Sequence, residues 1–79
     1  MMTREKIKIN DTEYNYMYNI VAADLLQIVV QRHASELVTD KIVDAILHEY
    51  AAKNIYFDEI ELVRSDFTYY TVETVFLKH

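Results

Sequence analysis

The stretch from Ile20 to His33, Ile-Val-Ala-Ala-Asp-Leu-Leu-Gln-Ile-Val-Val-Gln-Arg-His, constrains this chain more than any other. Nine of its fourteen residues are apolar. Asp24, Gln27 and Gln31 recur at i, i+3 and i+7, so a helix built from it would show one narrow polar stripe and would have to be covered elsewhere. Leu-Leu-Gln-Ile-Val-Val is also rich in β-branched residues and could form a buried strand. The length of the run, its two alanines and the absence of Gly and Pro favour a helix.

The whole chain of 79 residues lacks Gly, Pro and Cys. Without Gly there is no phosphate-cradling loop, dinucleotide fingerprint or nucleophile elbow, because each needs a backbone that approaches a ligand or adopts positive φ cheaply. Tight turns must therefore use Asn and Asp. Without Cys there is no disulfide framework, thiolate zinc site or cysteine nucleophile. Seventy-nine residues predict a single domain over 1–79, near the lower size at which a core holds itself together, so extra burial by self-association would help. The N-terminal segment has no apolar leader and no run reaches the ~18 apolar residues of a membrane span, which predicts a soluble, cytoplasmic protein.

Along the chain, Lys6-Ile7-Lys8-Ile9 and Glu13-Tyr14-Asn15-Tyr16-Met17-Tyr18 both alternate with period two around Asn10-Asp11-Thr12. That pattern predicts a β-hairpin with Ile7 and Ile9 inward, although residues 13–19 could instead open a helix capped at Asp11 or Thr12. After a connector over 34–38, Thr39-Asp40 predicts an N-cap and a first-turn acid. Ile42, Val43, Ile46, Leu47 and Tyr50 then form one apolar stripe on a helix of roughly 40–53, with Asn54 as its stop. The two helices are expected to pack as an antiparallel hairpin. Beyond them, Ile60 and Leu62 alternate with acids, Arg64-Ser65-Asp66 suggests a turn, and 67–77 is a long aromatic and β-branched strand. That last strand is apolar on both faces, so it is either central or turned towards another chain. The expected fold is α+β, a small antiparallel sheet in the order β-β-α-α-β-β with a two-helix hairpin packed on one face.

Candidate chemistry is sparse. His33, His48 and His79 are scattered, and Asp44 with His48 at i, i+4 supplies at most two metal ligands with no evident third. His33 is better explained as a cation at a helix C-terminus than as a base. Glu59 and Glu61, two apart in a strand, share a solvated face rather than a concave site. No catalytic residue, metal or cofactor is expected, and a metal-assisted hydrolase using Asp44, His48 and a strand carboxylate ranks last.

Charge and tyrosine are more informative. Residues 11–66 carry eleven acids against four bases, while the first ten residues carry Arg4, Lys6 and Lys8 against Glu5. Such a balance disfavours direct nucleic-acid binding, which needs bases that displace counterions, and favours a basic protein surface. The seven tyrosines exceed what a small core needs, and Tyr is enriched at interfaces. Tyr56, Asp58, Glu59, Glu61, Asp66, Tyr69 and Tyr70 are accordingly the expected protein-binding residues, suited to meet Arg and Lys by charge pairing and cation–π contact. Two functions are expected in this order. The first is a non-enzymatic acidic module that inhibits or regulates a basic nucleic-acid-handling protein as a nucleic-acid mimic, in the manner of phage-encoded effectors. The second is a self-assembling subunit that dimerises through the C-terminal strand.

Overall fold

A computed structural model describes residues 2–33 and 35–79. Its elements are β1 (Thr3–Ile9), β2 (Thr12–Ala22), β3 (Leu25–His33), α1 (Thr39–Ala51), β4 (Glu59–Asp66) and β5 (Tyr70–Lys78). The strands form one antiparallel sheet in the order β1-β2-β3-β5-β4.

This arrangement overturns the two-helix expectation, since the order is β-β-β-α-β-β and the run from Ile20 to His33 is strand, turn and strand. Leu26, Ile28, Val30 and Arg32 are buried and alternate with more exposed neighbours along β3. The period of two therefore wins over the polar stripe read at 3.6, and the β-branched residues sit on the pleated surface that suits them. The chain reverses at Ala23-Asp24, and an irregularity between Ile20 and Ala22 adds local twist where no Gly is available. His33 thus ends a strand rather than a helix.

The first hairpin forms as its sequence suggests. Asn10 and Asp11 adopt φ of 50° and 68°, the two left-handed positions of a tight hairpin turn, and Ile7 pairs with Tyr14. Residues 13–19 belong to β2, not to a helix. At the other end Arg64-Ser65-Asp66 continues β4, and the reversal falls at 67–69, where the Phe67 amide donates to the Tyr70 carbonyl at 2.8 Å. The terminal strand is central, with β3 on one edge and β4 on the other, so neither of its edges is free for a second chain.

The helix has the expected stripe, burying Ile42, Val43 and Ile46. It ends where Asn54 turns the chain at φ 62°. Its start differs from expectation. Val38 is the capping residue and offers no side-chain bond, while Thr39 lies inside the first turn with Asp40 as the first-turn acid. Ala34, at the start of the connector, lies outside the described residues.

The helix packs Ile42, Val43 and Ile46 against Ile7, Leu26, Ile28, Val30, Val75 and Leu77, with Tyr14, Tyr16 and Tyr18 partly buried around them. In the β3–β5 ladder Leu26 opposes Leu77 and Ile28 opposes Val75, so the apolar layer is built of directly facing pairs. At one end of that layer the chemistry turns polar. Arg32 and Glu73 form a buried ion pair through Nε and Oε1, and the Thr39 hydroxyl donates to the same Oε1 at 3.0 Å. Arg32 also donates from Nη1 to the His33 carbonyl at 3.2 Å.

Removing one member of that pair should be far worse than replacing both. Glu73→Ala is expected to lower stability by about 3–5 kcal/mol, whereas the double change Arg32→Met, Glu73→Leu is expected to be neutral or to stabilise by up to about 4 kcal/mol. Urea unfolding of the three proteins measures the difference.

Candidate functional site

The residues expected to bind protein fall along one strand and its flanks. Tyr56 and Asp58 lie in the connector after α1, Glu59, Glu61 and Asp66 in β4, Tyr69 in the following turn and Tyr70 at the head of β5. The connector is anchored by Phe57, whose ring sits edge-on between Tyr50 at 5.3 Å and His79 at 5.5 Å, and by the Asp58 amide donating to the Lys78 carbonyl at 2.8 Å. Anchoring Phe57 inward leaves Tyr56 outward and exposed.

These residues do not form one patch. Tyr56, Asp58 and Glu59 stand at one end of β4, and Asp66, Tyr69 and Tyr70 stand at the other. Eight residues of strand separate the ends by about 25 Å. What joins them is β4 itself, which lies at the sheet edge and is exposed at every residue. Its two faces differ in chemistry. Ile60, Leu62, Arg64 and Asp66 oppose the inward Leu77, Val75, Glu73 and Thr71, so they share the helix-covered side, but the helix does not reach them. Ile60 is 58% and Leu62 53% exposed, although their neighbours Leu77 and Val75 are almost wholly buried. Glu59, Glu61 and Val63 point to the opposite side.

Asp66 is committed within this band. Its Oδ1 accepts from Arg64 Nε and from Thr71 Oγ1, each at 2.9 Å, and the Arg64 guanidinium together with the Thr71 hydroxyl holds its carboxyl below the usual carboxylate range. It therefore secures the β4–β5 turn, and Glu59 and Glu61 are the acids of β4 with no such bond. At the turn, Phe67 and Tyr70 stack with ring centres 4.7 Å apart, while Tyr69 projects into solvent at 80% exposure.

A concavity missed by the sequence reading lies across the sheet. The β2–β3 ladder stops at Met17 opposite Val29, although β2 extends back to Thr12 and β3 on to His33. From that point β2 stays paired with β1, and β3 with β5. The gap opens into a cleft of about 790 Å³ lined from one side by Arg4, Lys6, Asn15 and Met17 and from the other by Val29, Gln31, His33 and Tyr70. Lys6 and Lys8 were legible as the outer face of β1, but nothing in the residue pattern marks where a ladder stops.

Asp44 and His48 are both exposed on α1, and no three His, Asp or Glu side chains converge as a metal site among the described residues. No helix is long and apolar enough to cross a membrane. A second, smaller recess of about 420 Å³ between α1 and β2 contains Tyr16, Tyr18, Glu49 and Tyr50. Partial burial, then the negative charge of Glu49, pushes the Tyr16 hydroxyl up to about 12, and burial raises Tyr50 in the same direction. The chain matches no protein-family model, no curated protein and no solved structure.

The raised tyrosine hydroxyl has a consequence for alkaline stability. Because Tyr16 holds its proton more tightly when folded than at its ordinary value near 10, its contribution is present below pH 10 and is lost as the pH rises towards 12. Thermal unfolding should therefore shift downward over that window, and Tyr16→Phe should shallow the decline without abolishing it, since Tyr50 titrates in the same sense.

Proposed function

We propose that this chain is a non-enzymatic protein-binding module whose contact element is the β4 edge. One observation carries the reading: β4 is exposed along its whole length and presents a row of backbone groups unpaired by any other strand. Such an edge recruits another chain, and this one has no proline or bulge to blunt it. Glu59 and Glu61 on one face, with Asp58 and Tyr56 beside them, suit a partner with a basic surface. Charge complementarity of this kind governs choice of partner and speed of encounter. A nucleic-acid-handling protein is a natural target, because its basic surface is already shaped for a run of negative charge, and the module would then act as its inhibitor or regulator.

A second reading, self-association, is favoured by Ile60 and Leu62. They extend the buried Leu77–Val75 layer into solvent, and a second copy packed along β4 would cover them.

Affinity capture from a nuclease-treated lysate, with mass spectrometry, tests the first reading when the charge-reversed variant Asp58→Lys, Glu59→Lys, Glu61→Lys is run in parallel. The expected result is one stoichiometric partner that binds nucleic acid and is retained about tenfold less by the variant, more so at low salt. Equal retention overturns the charge-guided reading. A dimer in sedimentation at micromolar concentration, dissociated by Leu62→Lys, would establish self-association instead.

A further inference from the structure

We infer that the cleft between the diverging ends of β2 and β3 is a second binding site, for an acidic peptide segment in extended conformation. This goes beyond the proposed role of β4 and uses the opposite side of the molecule's charge distribution.

Two independent features of the cleft point to that ligand. The first is backbone. Below Met17 and above Val29 the two strands each lose their ladder partner on the side facing the other, so residues 12–16 and 30–33 border the cleft with strand edges. An incoming strand supplies what such edges lack, the alternating N–H and C=O groups of another extended chain. The cleft is open to solvent, and its volume of about 790 Å³ is of the size of small-molecule sites.

The second feature is charge. The chain carries a net −5, yet the cleft lining sets Arg4 and Lys6 against one acid, Glu5, with Arg32 already paired to Glu73 and the amides of Asn15 and Gln31 alongside. Arg4 and Lys6 project on the same side of β1, opposite Met17 and Asn15, so both cations border the opening. Lys6 makes one exposed pair with Glu13 at 3.6 Å, which holds it weakly. Tyr70, at the far wall, offers a ring against which aliphatic parts of a ligand can lie. A peptide that alternates acidic and β-branched residues satisfies both features. Its backbone adds to a strand edge, its carboxylates face Arg4 and Lys6, and its apolar face lies on Met17 and Val29.

The full chain is titrated by calorimetry with the peptide (Val-Glu)4, with (Val-Lys)4 and inorganic phosphate as comparisons, and backbone amide exchange is followed by NMR. The expected result is saturable binding of (Val-Glu)4 with new protection of amides in 12–16 and 30–33. Binding should weaken at least tenfold in the variant Arg4→Glu, Lys6→Glu, whose substitutions are both at exposed positions, and should persist in the Asp58, Glu59, Glu61 reversal. That last variant separates this site from the β4 reading. No saturable binding at millimolar peptide overturns the inference, as do equal binding by the Arg4, Lys6 variant, protection confined to β4, or full displacement by phosphate at concentrations comparable to the peptide.

Discussion

The Arg32–Glu73 pair fixes how the two halves of the sheet meet. Both side chains are buried, and a guanidinium or carboxylate taken out of water costs several kcal/mol unless its partner is in place. Arg32 opposes Thr71 and Val30 opposes Glu73, so the pair spans a diagonal of the β3–β5 ladder and closes in one register only. A slip of one residue would part the charges and turn Leu26, Ile28 and Val30 to the outside together. The Thr39 hydroxyl brings the first turn of α1 to the same carboxylate, so the helix starts where the register is set. A carboxylate beside a helix N-terminus is also favoured by the helix dipole.

From that anchor the coverage of the sheet follows by size. A helix about 10 Å across covers two or three strands spaced about 4.8 Å apart, and this sheet has five. The backbone of α1 lies nearest β1 and β3, which leaves β4 bare on the side where its neighbour β5 is buried. The exposed edge is thus the result of a single short helix over a sheet too wide for it. The cleft has a separate origin, in a β2–β3 ladder that parts partway along while β2 stays with β1 and β3 with β5. Cleft and edge carry opposite charge because β1 contributes Arg4 and Lys6 to one, and β4 contributes Glu59 and Glu61 to the other.

Where sequence pattern was sufficient, local chemistry left one solution. Asn10 and Asp11 are the residues best able to take positive φ in a chain without Gly, and the period-two runs beside them could only pair across that turn. The α1 stripe was equally plain. The Ile20–His33 run was not, because three polar residues at helical spacing and four inward residues at strand spacing coexist in it, and the choice is made by β5, which arrives more than thirty residues later to pair with β3, and by α1, which covers Ile28 and Val30. The residues expected to bind protein were chosen by composition, and their spread along an edge rather than in a patch depends on strand order. The cleft was illegible because it is a property of a ladder, not of residues. Sequence pattern assigned no role to Arg32 or Glu73, because their burial is conferred by elements distant in sequence.

The central position of β5 also dictates how this chain reaches its fold. The meander β1-β2-β3 and the hairpin β4-β5 each join neighbours in sequence, so their turns close small loops at little entropic cost. Their union is different in kind, since the β3–β5 ladder links His33 to Tyr70 and must restrict the entire intervening segment before any of its facing pairs form. That ladder makes the chain one cooperative unit instead of two independent hairpins. The most protected amides are therefore expected in that ladder, and earlier release in β4 and the first hairpin, which are sheet edges. The β4 edge and the β1–β2 wall of the cleft therefore lie on the outer parts of the molecule, while the other wall of the cleft, β3, belongs to the β3–β5 seam itself.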